Sequence, residues 1–248
     1  MLSVANVLRW PFSGDSDLIG TADSLGVTRL HAGRRTVVSK NNQIYDLIVE
    51  GLVTARYAFG DRLLVKELAM ETGASRQPIM SALNRLSADG FVRIIPQVGC
   101  QVIDPTRDEI ADFFLMFQRM EGLFAELAAR RRTDAQITAL RRLQQRLIAI
   151  GQTGDAAAHA EINREFHLLV HEMACSPMLG EKQRSNFNMC DFFITHSAGF
   201  EAFMSDAVHE HEPIIDAIER QEPERARLVA TAHLAAVGSA VLAGLTGR

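Results

Sequence analysis

The stretch SRQPIMSALNRLSADGFVRIIPQVGCQV, from Ser75 to Val102, leaves this chain few ways to fold. Ile79, Ala82, Leu83 and Leu86 recur at helical spacing, which predicts a helix with one buried apolar face. Ser75 stands where an N-cap hydroxyl can serve an unpaired backbone N–H of the first turn. Pro78 falls within that turn, where its missing N–H costs nothing. Gln77, Ser81, Asn84 and Arg85 point elsewhere, towards solvent or a partner. Gly90 stops the helix. Two apolar runs follow, Phe91 to Ile95 and Cys100 to Ile103, and their Pro96-Gln97-Val98-Gly99 joint predicts a small β-hairpin.

Upstream, LLVKELAMETGAS predicts a short helix ending at Gly73, and Ile44, Leu47, Ile48, Leu52 and Val53 predict another before it. Short helix, glycine turn, second helix and hairpin is the order of a winged helix-turn-helix, whose second helix enters the DNA major groove. Asp104-Pro105-Thr106 marks the end of this unit. Residues 1–40 lack sustained periodicity and read as a mobile extension, in which Arg34, Arg35 and Lys40 are either solvated tail charges, the reading favoured for any one of them, or contacts to a DNA backbone.

After residue 106 strand signals vanish. Helical stretches fall at about 107–131, 134–151, 155–174, 177–197, 200–220 and 222–245, separated by capping residues and two prolines suited to a first turn. The expected fold is therefore mainly α: a winged helix-turn-helix with a hairpin wing over 41–104, then an antiparallel bundle of six or seven helices over 105–248. Charge divides the same way, with a net of +2 over residues 1–100 and −6 over 101–248. Three cysteines at unrelated spacings form neither a disulfide framework nor a zinc pattern, which suits a cytoplasmic setting. Arg9 interrupts an apolar run too short for a signal peptide. The uncharged Leu228 to Leu245 run approaches membrane-spanning length, but its Ala, Gly and Ser content and His233 favour a buried closing helix, and no membrane partner is expected.

The segments KELAMETGASRQPIMSALNRLSADGFV and QVGCQV resemble the DNA-binding domain of GntR-type bacterial transcription regulators, over about Asn42 to Asp104. The segments FQRMEGLFAELAARR, NREFHLLVHEMACSPML, HEHEPIIDAIERQEPERA and VATAHLAAV resemble the ligand-binding FCD bundle of the FadR-like members. The resemblance implies a regulator, commonly a repressor, that binds double-stranded DNA as a homodimer on a near-palindromic operator and responds to a small-molecule effector. Its DNA contacts map to Arg76 as base reader, Gln77 as adenine or phosphate contact, and Ser75 and Lys66 on phosphate. Gly99 lets the wing backbone approach the minor groove. Met80 and Val98 stand where relatives carry further cationic groups, so the salt dependence of binding should be shallow.

In that family an Asp and three histidines hold a divalent metal such as Zn or Ni inside the bundle. The positions map to Asn163, His167, His211 and His233, with Asn163 replacing the Asp and weakening the site by one charge. His171 and His209 match no family position and read as outer or surface residues. Glu121 keeps the family's Glu, but Phe117 replaces the arginine that meets a carboxylate effector, so the effector stays open. The Phe113, Phe114, Met116 and Phe117 group reads mostly as core. Phe59 replaces a turn residue and is expected to change only turn rigidity. Two other readings follow from the same residues: a metal-dependent enzyme using the histidine cluster, although no general base accompanies it, or a regulator whose bundle has lost metal and effector and only dimerises.

Overall fold

The computed structural model describes residues 40–95, 99–197, 199 and 204–245. The N-terminal extension, the Pro96–Val98 wing tip and the start of the helix expected at 200 lie outside the described residues. Among the described residues twelve elements follow in order: α1 (Lys40–Val53), β1 (Arg62–Leu63), α2 (Val65–Thr72), α3 (Arg76–Ala88), β2 (Val92–Ile95), β3 (Gly99–Val102), α4 (Arg107–Arg131), α5 (Asp134–Gly151), α6 (Ala156–Met173), α7 (Pro177–Thr195), α8 (Met204–Glu219) and α9 (Pro223–Gly244).

In the N-terminal half, α2 ends at Gly73 in the left-handed conformation and α3 begins three residues later. Ile79, Ala82, Leu83 and Leu86 are buried as their spacing demands. The hairpin gains a third strand that periodicity missed, because β1 is only two residues long. The antiparallel order is β1-β3-β2, with Leu63 opposite Cys100 and Val92 opposite Val102.

The helices of the C-terminal half start where local chemistry tells them to. Thr106 and Glu109 form a reciprocal capping box on α4, and Thr133 and Gln136 form another on α5. The Asp155 carboxylate accepts from Ala158 N at 3.0 Å on α6, and Pro177 and Pro223 open α7 and α9. Helix α9 lies along α4, and Gly238 permits the approach, since a Cβ there would stand 2.8 Å from Phe114. Among the described residues α9 is the one helix long and apolar enough to cross a membrane, and only a third of its most apolar window is buried.

The core comes in two parts. One fills the bundle between α4, α5, α6, α8 and α9. The other runs without interruption from α1, α3 and the sheet into α4, α7 and the end of α9, so the two halves share apolar contacts. Phe59 belongs to this joint: its ring lies 4.9 Å from those of Phe192 and His196 and 6.2 Å from that of Phe193. The expectation that Phe59 affects only turn rigidity is therefore corrected. An aromatic ring in the turn before β1 is buried area between the halves, which a short turn segment cannot reveal by itself.

Candidate functional site

Two places carry chemistry. The first is the exposed start of α3. Lys66, Ser75, Arg76, Gln77 and Gly99 are all solvent-exposed. Ser75 occupies the N-cap position in an extended conformation, but its hydroxyl makes no capping bond, contrary to the expected role. The first-turn N–H groups are then left to solvent or to an anion. Met80 packs partly against the core instead of reaching outward. Arg85 is engaged within the fold, its guanidinium 3.8 Å over the Tyr45 ring and its Nη1 donating to Asn42 Oδ1 at 3.3 Å. Gly99 adopts φ 127° with nothing near its missing side chain, so backbone conformation, not space, demands glycine there.

The second place lies inside the bundle, where His167 from α6, His211 from α8 and His233 from α9 converge. One ring nitrogen from each lies within 4.8 Å of the others, and all three side chains are buried. The ring centroids are 4.9 to 5.6 Å apart. Phe166 stacks on His211 with centroids 4.1 Å apart and planes 2° from parallel, fixing its plane. Burial pushes His211 well below its ordinary pKa, and the neighbouring His233, His167 and His159 push the same way. Burial also lowers His167 against the opposing pull of Glu121. Neutral imidazoles with free lone pairs are what a borderline metal requires.

The positions around the triad fit a cation. Neither ring nitrogen of His211 nor the buried Oδ1 of Asn163 finds a hydrogen-bond partner. Leaving a buried polar atom unpaired costs about 1–3 kcal/mol, and these atoms are available to a cation. His167 Nδ1 lies 3.2 Å from Glu121 Oε2, and His233 Nδ1 lies 2.6 Å from Glu210 Oε2. Carboxylates behind two of the three imidazoles orient the rings and raise the basicity of the opposite nitrogens.

Several residues escaped the sequence reading. His171, expected either just behind the ligands or at the surface, takes the first place: it is buried, with Nε2 2.8 Å from Glu121 Oε1. Gln183 Nε2 donates to the same oxygen at 2.8 Å. Glu121 is thus a hub, 3% exposed, with three partners on two other helices. Burial alone would raise its carboxyl, but the electrostatic pull of His171 and the hydrogen bonds of His167 and His171 hold it well below the carboxylate range. His159 is buried with both ring nitrogens unpartnered. The signal was visible: His159, Asn163, His167 and His171 recur every four residues on α6, one polar stripe facing the core. His209 is exposed, as is Met116, which departs from the expected core group. Phe114 and Phe117 are buried.

Beside the stripe, Arg164 pairs with Asp191 and donates to Asn188 Oδ1 at 2.7 Å. Burial pulls its guanidinium down to about 10, which leaves it charged at neutral pH.

Comparison with known proteins finds a family match in each half of the chain. Residues 40–102 match the bacterial regulatory proteins of the gntR family, and residues 112–236 match the FCD domain. A probable D-xylose utilization operon transcriptional repressor of Paenarthrobacter nicotinovorans is 26% identical over 203 residues, 82% of this chain and 88% of that protein. The Escherichia coli HTH-type transcriptional repressor RspR is 24% identical over 81% of this chain and 88% of its own length. Among solved structures, Escherichia coli McbR/YncC superposes with a TM-score of 0.67 at 20% identity, covering 81% of this chain and 98% of that one. A putative GntR regulator from Rhodococcus sp. RHA1 also reaches 0.67, at 16% identity over 84% and 99%.

Proposed function

The chain belongs to the GntR-family bacterial transcription regulators that carry an FCD domain, and from that membership we propose that its bundle senses a small metabolite through a divalent metal held by Asn163, His167, His211 and His233. It is a DNA-binding regulator and not an enzyme, as its relatives are. The observation that carries the metal reading is the meeting of three buried imidazoles with an unpartnered amide oxygen. When bound, Zn, Ni or a similar ion would supply a Lewis-acidic point for an oxygen or nitrogen atom of the effector. The protein's own share is to exclude water with Phe166 and Phe187, and to fix the imidazoles through Glu121 and Glu210.

On the same reading, residues 41–104 form the DNA-binding unit and 105–248 the sensing and dimerisation unit, in a cytoplasmic homodimer that represses from a near-palindromic site. Two copies of α3 would enter successive major grooves. Arg76 would read guanine through O6 and N7, Gln77 adenine or phosphate, and Lys66 with the uncapped α3 start at Ser75 would hold phosphates. Gly99 would bring the wing backbone to the minor groove.

The experiment is to map bound DNA genome-wide and measure affinity for the recovered site by fluorescence anisotropy. Arg76→Ala should weaken specific binding about 10- to 100-fold, the worth of one bidentate base contact, while binding to unrelated DNA falls far less. Equal losses on both DNAs would make Arg76 a backbone contact, and no loss on either would remove α3 from the interface.

A further inference from the structure

We infer that α7 is the mechanical link through which occupancy of the histidine centre is read at the DNA-binding half, with Thr195 and His196 as positioning residues. For its trigger the inference rests on the metal reading above.

Helix α7 touches both places. Towards its start, Gln183 donates to Glu121, the carboxylate that also holds His167. One turn on, the Phe187 ring lies 5.3 Å from that of His167 and 6.3 Å from that of His171. Asn188 and Asp191 then grip Arg164, the residue between Asn163 and Glu165 on α6. A change in the centre therefore meets α7 through a hydrogen bond, an aromatic face and an ion pair at once.

The other end of α7 is tied to the DNA-binding half by main-chain acceptors. Thr195 Oγ1 donates to the carbonyl of Val53, the last residue of α1, at 2.9 Å. His196 places Nε2 3.0 Å from the Tyr57 carbonyl, while Nδ1 faces the Phe192 carbonyl at 2.8 Å. Its ring is held between Phe59 at 4.9 Å and Phe192 at 4.4 Å. Helix α1 packs in turn on α3, the helix bearing Arg76.

Nineteen helical residues span about 28 Å and resist axial compression. Packed cores deform by discrete shifts more readily than by continuous strain. A small displacement at Gln183 and Phe187 is therefore delivered at Val53 and Tyr57, and from there to α1 and α3. The covalent connection through α4 fixes where the DNA-binding half is attached, and α7 fixes how it is oriented.

The double substitution Thr195→Val with His196→Phe removes both ties while keeping their bulk, and touches no proposed metal ligand. Hydrogen exchange of the full chain is followed with and without zinc. In the native sequence zinc should slow exchange at 163–171 and also at 53–60, the latter about fivefold, the lower end of typical coupling. The double variant should bind zinc equally and keep the first response but lose the second. An equal response at 53–60 in the double variant overturns the inference, as does silence there in the native protein while 163–171 responds. If the native protein takes up no zinc, the metal reading fails by itself. The link is then judged without metal: the double variant must exchange faster at 53–60 with the α5 amides unchanged, and no increase overturns it.

Discussion

On the proposed metal reading, replacing His211 by alanine should abolish metal uptake at micromolar concentrations. Apparent binding energies of structural zinc sites run to about 10–16 kcal/mol across four ligands, so one imidazole is worth about 3 kcal/mol, on the order of a hundredfold in affinity. The loss should be at the upper end here, because Asn163 brings no charge and His211 has no alternative partner to reorganise around. Stability reports it as well. Metal held at a hundred times its Kd adds about 2.7 kcal/mol, and for a chain of this size that corresponds to a Tm higher by about 5–10 °C. Chelation should therefore lower the native Tm by that amount and leave the Tm of His211→Ala unchanged. The reverse substitution for the missing charge, Asn163→Asp, should tighten binding by about an order of magnitude or more, since an ionised carboxylate replaces an amide facing a dication. Isothermal titration with Zn and Ni, beside metal analysis of the purified protein, measures all three proteins. A native protein that binds nothing, with Asn163→Asp equally inert, would reduce the cluster to a set of buried histidines and favour the reading in which the bundle only dimerises.

Much of this arrangement is written in local sequence, and the rest is not, for a physical reason. Helix positions follow from caps and periodicity, which are properties of neighbours within a turn or two. Thr106, Thr133, Asp155, Pro177 and Pro223 therefore mark starts that the structure shares to within a residue or so. His167, His211 and His233 could be assigned to one site only by likeness to a family, since 66 residues separate the first from the last. Glu121 lay in plain view as a family position, but its partners come from α6 and α7, and no periodicity on α4 names them. Phe59 shows the opposite failure. Turn chemistry does not weigh a residue whose energetics are settled by Phe192 and His196, well over a hundred positions away. Ser75 shows a third, in which the expected residue type sits at the expected position and its hydroxyl makes no bond to the helix.

The misses at Phe59 and Glu121 lie at the seam between the two halves and at the histidine centre. In both places one side chain answers to several elements at once. A regulator needs such places, because a shift at a sensing site alters DNA binding only where side chains couple elements of both halves.

Arg164→Met should be the most damaging single change to folding in this set. Asp191 is buried and Arg164 largely so, with side chains 10% and 14% exposed. Removing the guanidinium leaves the Asp191 carboxylate in the core without its counter-charge, which costs about 3–5 kcal/mol. For a chain of this length that lowers Tm by about 6–20 °C. Asp191→Asn should be milder, because an amide can still accept from Arg164. The combination Arg164→Met with Asp191→Leu should recover most of the loss, since a buried ion pair seldom outperforms well-packed apolar groups once its desolvation is counted. What the double variant should not recover is tight metal binding. Arg164 follows Asn163 directly, and its bonds to Asn188 and Asp191 set the rotation of α6 against α7, hence where Asn163 and His167 point. Thermal unfolding and zinc titration of the three variants separate the two roles. Restored stability with weakened binding marks the pair as a positioning device. Restored stability with native binding makes it a dispensable ion pair, and the apolar packing of α6 on α7 would then hold the ligands in place.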